Sequence, residues 1–303
     1  RVFYGWWNVL IASVLHFLAG GLYSLGLAVY FLPISRDLGL SRASLSLAFT
    51  LRSLESGLDA PLTGYLVDRL GARVMIRFGG LVAGAGFILL AFTTNYTTFL
   101  LAFLGVLAIG FSTGFTQPLM ALINQWFARR RALAITLGFI GTDIGGMLLT
   151  PIIALIIFQF GWRQAAIVSG LAIPLIVLPL TLFIRNTPES IGLLRDGVTP
   201  EQEAEFIRSQ SMGIQPQNER EDFTVKEAMR TRTYWHYVLA LGVRLFAKST
   251  LHVHLVPLLV WKGIDEQSAA LLVGFYAFAQ VPLRIGGAWL GDRWSMTKVP
   301  GLS

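Results

Sequence analysis

The chain has 303 residues, of which 54% are hydrophobic and only 14% charged, with a net charge of +7. A soluble domain carries about 25% charge, so this composition excludes an ordinary water-soluble fold. The absence of cysteine excludes disulfides, iron–sulfur clusters and cysteine-based zinc sites, and four histidines without nearby carboxylate clusters point to no metal centre and no cofactor.

Apolar stretches long enough to cross a bilayer, about 20 residues each, recur along the sequence. They predict eight helices, over roughly 5–31, 43–67, 74–93, 98–122, 132–158, 164–184, 234–260 and 269–290. Short polar joints at 35–42, 68–73, 94–97, 127–131, 161–163 and 261–268 separate them, and one long polar segment, 185–232, interrupts the series. This is the pattern of an all-α polytopic membrane bundle. The first apolar run is too long for a removable signal peptide.

Basic residues are unevenly shared between the two sides. Arg1, Arg69, Arg73, Arg77, Arg129, Arg130, Arg131, Arg293 and Lys298 fall on one side, against Arg36, Arg42, Arg163 and Lys262 on the other. The positive-inside rule therefore places the N-terminus in the cytoplasm of a multi-pass cell-membrane protein. In a soluble protein a charge of +7 would suggest nucleic acid as a partner. Here the loop bias accounts for it, and the bilayer rather than nucleic acid is the expected partner.

Helix two carries Arg52, Glu55 and Asp59 at i, i+3 and i+7, on one stripe. Charges at bilayer depth cost about 2.5–3.5 kcal/mol each on insertion scales. The stripe is therefore read either as an internal ion pair, with Asp59 hydrogen-bonded to a neighbouring helix, or as a proton-accepting or gating carboxylate. The helix ends on Gly64-Tyr65-Leu66-Val67-Asp68-Arg69-Leu70-Gly71-Ala72-Arg73, where two glycines flank an acidic–basic pair and permit close helix approach. In helix four Thr113, Gln117, Met120 and Asn124 share a stripe that lines a cavity or bonds a neighbouring helix. In helix five Gly138, Gly141 and Gly145 form a packing strip. Thr136, Asp143 and Thr150 form a polar strip, with Asp143 a coupling candidate.

The 185–232 segment holds seven basic and nine acidic residues and three prolines, and reads as a solvated cytoplasmic linker. Within it, 199–203 (Thr-Pro-Glu-Gln-Glu) reads as a helix start. Helix seven places Arg244, Lys248 and His252 at i+4 spacing, with His254 on an adjacent face. His16, His252 and His254 each read first as hydrogen-bonded packing residues. After helix eight the loop pattern returns in degraded form, Ala288-Trp289-Leu290-Gly291-Asp292-Arg293-Trp294. Such an internal repeat is a mark of carrier folds. The division is thus a six-helix bundle at 1–184, a central loop at 185–233, and two helices of a second bundle at 234–303.

At residues 64–73 the sequence resembles the major facilitator superfamily, matching its Gly-x-Leu-x-Asp-Arg-x-Gly-x-Arg/Lys loop signature at its defined positions. Two further stretches resemble the monocarboxylate porter branch. They are Tyr4-Gly5-Trp6-Trp7, and Trp126-Phe127-Ala128-Arg129-Arg130-Arg131-Ala132-Leu133-Ala134 followed by Gly138, Gly141 and Gly145. Helix eight, from Arg284 to Arg293, resembles both that branch and the oxalate–formate exchangers. The resemblance implies twelve helices in two bundles, so this chain reads as a fragment holding eight.

It further implies a secondary transporter of small organic anions working by alternating access, by proton symport or anion exchange. The alternative is a facilitator carrier for another solute, such as a proton-coupled drug exporter. No nucleophile–base pair suggests an enzyme. Arg284 is implied as the carboxylate clamp, with Lys248 and Arg244 as auxiliary positive charge and Gln117 and Asn124 as cavity lining. Arg244 and Arg284 would lie about 13 and 12 Å from the same membrane face at 1.5 Å per residue. Gly64, Asp68, Arg69, Gly71, Arg73, Asp292 and Arg293 are implied in conformational gating. Porters of this branch commonly carry an Asp four residues before the helix-eight Arg and a Lys in helix one. Here Gln280 replaces the first and 5–31 has no Lys, so coupling is sought at Glu55, Asp59 and Asp143.

Overall fold

The computed structural model describes residues 3–128, 130–197, 227 and 229–293. Within that range the side chains of 248, 249, 252, 253, 277, 280, 281 and 283–293 fall outside the description. The helix start at 199–203 and the side chains of Lys248, His252, Gln280, Arg284, Asp292 and Arg293 therefore lie outside the described residues.

The fold is all-α, with no strand among the described residues. Its long helices are α1 (Gly5–Asp37), α2 (Arg42–Leu70), α3 (Ala72–Ala91), α4 (Tyr96–Trp126), α5 (Arg131–Phe160), α6 (Trp162–Phe183), α7 (Arg232–Trp261) and α8 (Glu266–Arg293). Five of them, α1, α3, α4, α5 and α6, are both long and apolar enough to cross a membrane. At 29, 30 and 28 residues, α2, α7 and α8 are long enough, since about 20 residues span the hydrocarbon core. What sets α2 apart is its charge.

Helix starts follow local chemistry. Ser41 caps α2 by accepting from the Ser44 amide, and Asn95 with Thr98 forms a reciprocal capping box on α4. Asp265 caps α8 through the Ser268 amide at 2.8 Å, and these Ser268 contacts hold its carboxyl below the usual carboxylate range. Two junctions are single glycines. Gly71 (φ 80°, ψ 153°) joins α2 to α3, and Gly161 (φ 87°, ψ 161°) joins α5 to α6. That region of backbone space is open essentially to glycine alone. Both lie in a Gly-x-Arg triplet, ending at Arg73 and Arg163, so the first six helices read as two three-helix repeats.

The bundle closes around buried aromatics, among them Tyr30, Phe31, Phe87, Phe99, Phe103, Phe111 and Phe115. α3 packs on both α4 and α6, and α5 on both α1 and α8. At the α1–α5 crossing a Cβ on Gly141 or Gly145 would strike the Ser13 or Phe17 carbonyl. The glycine strip of α5 is therefore helix packing, as its spacing predicts.

α7 meets the first six helices at the end remote from the N-terminus, while α8 also packs along α5, where a Cβ on Gly274 would meet Met147 and Pro151. Val256, Ala269 and Val273 bury Leu25 and Ala28, and Ala270 meets Val29 and Ala154. Arg36 pairs with Glu266 at 2.6 Å there. At the other end α7 is open: from Thr231 to Ala247 its residues are exposed, with Leu241 half-buried.

Candidate functional site

Two of the helices leave α-geometry at the same depth. α1 contains a π-helical stretch, Ala19–Ser24, and α4 contains two, Phe103–Ala108 and Ser112–Thr116. Wide turns of this kind displace side chains from the 3.6-residue stripe and concentrate at functional sites. Here they carry Tyr23 and Ser112 to the charged stripe of α2.

The Arg52 guanidinium lies 4.6 Å from the centre of the Tyr23 ring and 5.7 Å from that of Phe49. A cation over an aromatic face gains roughly 0.5–2 kcal/mol. Tyr23 in turn stacks on Phe111 at 4.1 Å with an interplanar angle of 7°. The arginine thus rests on a rigid aromatic shelf.

The two carboxylates of α2 differ sharply. Asp59 Oδ2 accepts from Thr63 Oγ1 at 2.8 Å and also from Ser112 Oγ. Both carboxylate oxygens of Glu55 are buried without a hydrogen-bond partner, and so is Arg52 Nη1. Polar atoms buried without a hydrogen bond are unfavourable, and here the two opposite charges one turn apart offset that only by their mutual attraction. The sequence spacing put Arg52, Glu55 and Asp59 on one stripe, and the structure keeps them together.

Other candidates disperse. Asn124 is half-buried with Oδ1 lacking a partner, and Gln117 is half-buried. Thr113 bonds its own helix at the Ile109 carbonyl, while Ser112 reaches Asp59. Asp143 is 3% exposed within α5. Arg244 is exposed on the open half of α7. His16 Nδ1 bonds the Ala12 carbonyl and its ring lies against Phe139, a packing arrangement. His254 approaches Ser46 of α2 at 3.5 Å and Phe31 of α1.

In the loop motif, Asp68 and Arg69 are exposed, and Arg69 lies over the Tyr65 ring at 5.1 Å. Asp68 meets no basic partner among the described residues. A Cβ on Gly64 would meet open space, whereas Gly71 is held by its positive φ and by Asn186 beside it. Arg73 donates to the Leu182 carbonyl, and its amide donates to Asn186 Oδ1.

The two aromatic signatures, far apart in sequence, form one box. Phe3 packs on Trp126 and Phe127, Tyr4 on Trp126, and Trp6 on Phe127. Trp126 Nε1 and Asn8 Nδ2 both donate to the Arg185 carbonyl, tying α1 and α4 to the end of α6. Both aromatic stretches stand out in the sequence, whereas Tyr23 and Ser112 do not, because a π-turn has no periodic signal. The only local hint is the glycine content, Gly20-Gly21 before Tyr23 and Gly114 after Ser112.

Comparison with known proteins agrees with this architecture. Residues 9–302 match the Major Facilitator Superfamily. Human monocarboxylate transporter 12 is 32% identical over 253 residues, covering 78% of this chain and 47% of that protein. Human monocarboxylate transporter 11 is 28% identical over 237 residues, covering 77% and 45% respectively. The chain thus spans about half the length of these curated relatives. A crystal structure of a bacterial homologue of the human lysosomal transporter Spinster, inward-facing and unoccupied, superposes with a TM-score of 0.69 at 20% identity. That match covers 96% of this chain and 63% of the other.

Proposed function

Given that the chain belongs to the major facilitator superfamily, we propose that it forms part of a secondary transporter for small organic anions of the carboxylate class, working by alternating access. The observation that carries the reading is the one-sided contact between α7 and the first six helices, buried at 256 and open from 231 to 247. Two bodies joined at one end and parted at the other are what alternating access requires. The likeness to monocarboxylate transporters supports the substrate class.

In this reading residues 1–184 form the first bundle, 185–233 the central loop, and 234–303 the opening helices of the second. The N-terminus and the basic joints face the cytoplasm, so the conformation is inward-facing. Asp68, Arg69, Asp292 and Arg293, with Gly64 relieving helix contact, then engage only when the cytoplasmic end closes. This fits the exposure of Asp68 and Arg69 and the open space at Gly64. Arg284 receives the carboxylate from the second bundle, with Lys248 and Arg244 adding positive charge. Gln117 and Asn124 supply polar lining.

For coupling, Glu55 is the stronger candidate on α2, because Asp59 is already held by two hydroxyl donors; Asp143 is the candidate on α5. The test is counterflow by the complete protein, reconstituted in vesicles, against a panel of labelled carboxylates. Exchange of at least one of them is expected. Exchange of none, with proton-driven movement of a hydrophobic cation instead, would overturn the reading in favour of a drug carrier.

A further inference from the structure

The vacant groups Arg52 and Glu55 sit one helical turn apart, and the transport reading leaves their relationship unexplained. A guanidinium presents a planar fork that grips a carboxylate through two parallel hydrogen bonds. Arg52 has Nη1 buried and unused, and its guanidinium is set on Tyr23, which is itself stacked on Phe111. Glu55, three residues on, is an acid whose two carboxylate oxygens have no hydrogen-bond partner. The neighbouring acid, Asp59, is occupied by Thr63 and Ser112.

We propose that Arg52 is the carboxylate receptor of the first bundle and that Glu55 is its built-in competitor. This rests on the reading of the protein as an organic-anion transporter. When Glu55 is ionised, its side chain can swing onto Arg52 and close the fork to substrate. When Glu55 takes a proton from water on one of its carboxylate oxygens, it has no charge with which to hold Arg52, and the fork accepts the substrate carboxylate. Anion and proton therefore bind together, the anion on Arg52 and the proton on Glu55. Release of either returns Arg52 to Glu55.

Among the described residues, the charged and titratable groups facing Glu55 are few. On α2 itself they are Arg52 and Asp59, and from α1 Tyr23. From α4 the contact is the uncharged Ser112 hydroxyl, directed at Asp59. On α3, Arg73 and Arg77 are turned to α6, where they bond Leu182 and Thr181. On α7, His254 lies at Ser46, nine residues from Glu55 along α2.

The test uses the complete protein in vesicles and the carboxylate that the counterflow panel identifies, one that stays ionised between about pH 5.5 and 8.5. In the wild type, substrate affinity should fall as pH rises across that range. Glu55→Gln should hold high affinity at every pH and continue counterflow, but lose proton-driven accumulation. Arg52→Gln should weaken binding roughly tenfold to a hundredfold, the worth of a charge-assisted contact. Arg52→Lys, which keeps the charge and controls for folding, should bind with intermediate affinity.

A wild-type affinity independent of pH would overturn the competition, as would unchanged pH dependence in Glu55→Gln. Wild-type affinity in Arg52→Gln would remove Arg52 from the site. Any of these, with carboxylate counterflow intact, leaves the transport reading standing. Failure of the wild type to exchange any carboxylate overturns the transport reading and this inference together.

Discussion

Arg73 and Arg163 occupy equivalent positions at opposite ends of the α3–α6 pair. Each stands two residues after a glycine of positive φ, at the start of one helix, and donates to a carbonyl at or just past the far end of the other. Arg73 reaches the Leu182 carbonyl at 3.3 Å, and Arg163 the Thr93 carbonyl at 3.0 Å. Terminal carbonyls of a helix have no intrahelical donor, and a cation there is favoured by the helix dipole. Arg163 also pairs with Asp37 at the end of α1, where Trp162 Nε1 adds a second donor.

The two glycines that set up these clamps give the first prediction. Gly161→Ala forces a side chain into φ 87° and should destabilise by about 1–3 kcal/mol. Gly71→Ala should cost more, because its Cβ would also meet the Asn186 side chain. Thermal unfolding in detergent would rank the two, and an unchanged midpoint for Gly71→Ala would show that the junction relaxes freely.

Asp196 gives the second. It holds a left-handed conformation at φ 57°, and its carboxylate accepts from the Ala128 and Arg130 amides at 2.9 and 3.3 Å. That is a tie from a distant loop to the turn just before α5, within a basic cluster. Asp196→Ala should cost about 0.5–1.5 kcal/mol and raise hydrogen exchange at 128–134, with Asp196→Asn intermediate. Equal exchange in all three proteins would show the tie to be incidental.

The third contrasts two glycines. Gly145→Ala drives a methyl into the Phe17 carbonyl and should destabilise the α1–α5 crossing by about 1–3 kcal/mol. At Gly105 a Cβ meets nothing within 4 Å, so Gly105→Ala should be neutral or stabilising by about 0.4–1 kcal/mol. Melting curves of the two variants in one detergent decide between helix packing and a general aversion to substitution.

These residues also show what was legible in advance. The helix count, the joints and the α5 glycine strip follow from period and length, because a bilayer demands long apolar runs and close helices demand small side chains. The α2 stripe was legible for the same reason: 52, 55 and 59 keep register on an uninterrupted helix. Tyr23 and Ser112 were not, since each sits in a π-turn that shifts register by a fraction of a turn. The meeting of Phe3, Tyr4 and Trp6 with Trp126 and Phe127 was equally hidden. Nothing in two separated aromatic patches says that they share one corner of a bundle.

The fourth prediction concerns Asp68. In this conformation it is exposed, meets no basic partner among the described residues, and lies at the end where α7 stands clear. Its removal should therefore leave the stability of this state within about 0.5 kcal/mol of the wild type, as for an unengaged surface residue. If Asp68 secures the opposite state, Asp68→Asn withdraws a charged contact only there, and the equilibrium shifts towards the present one. Transport should fall while substrate affinity measured from the open side is retained. Spin labels on the ends of α2 and α7 would report the shift directly, as a larger population with these ends apart. A wild-type distance distribution together with wild-type transport would show that the acidic residue of the loop motif serves packing alone.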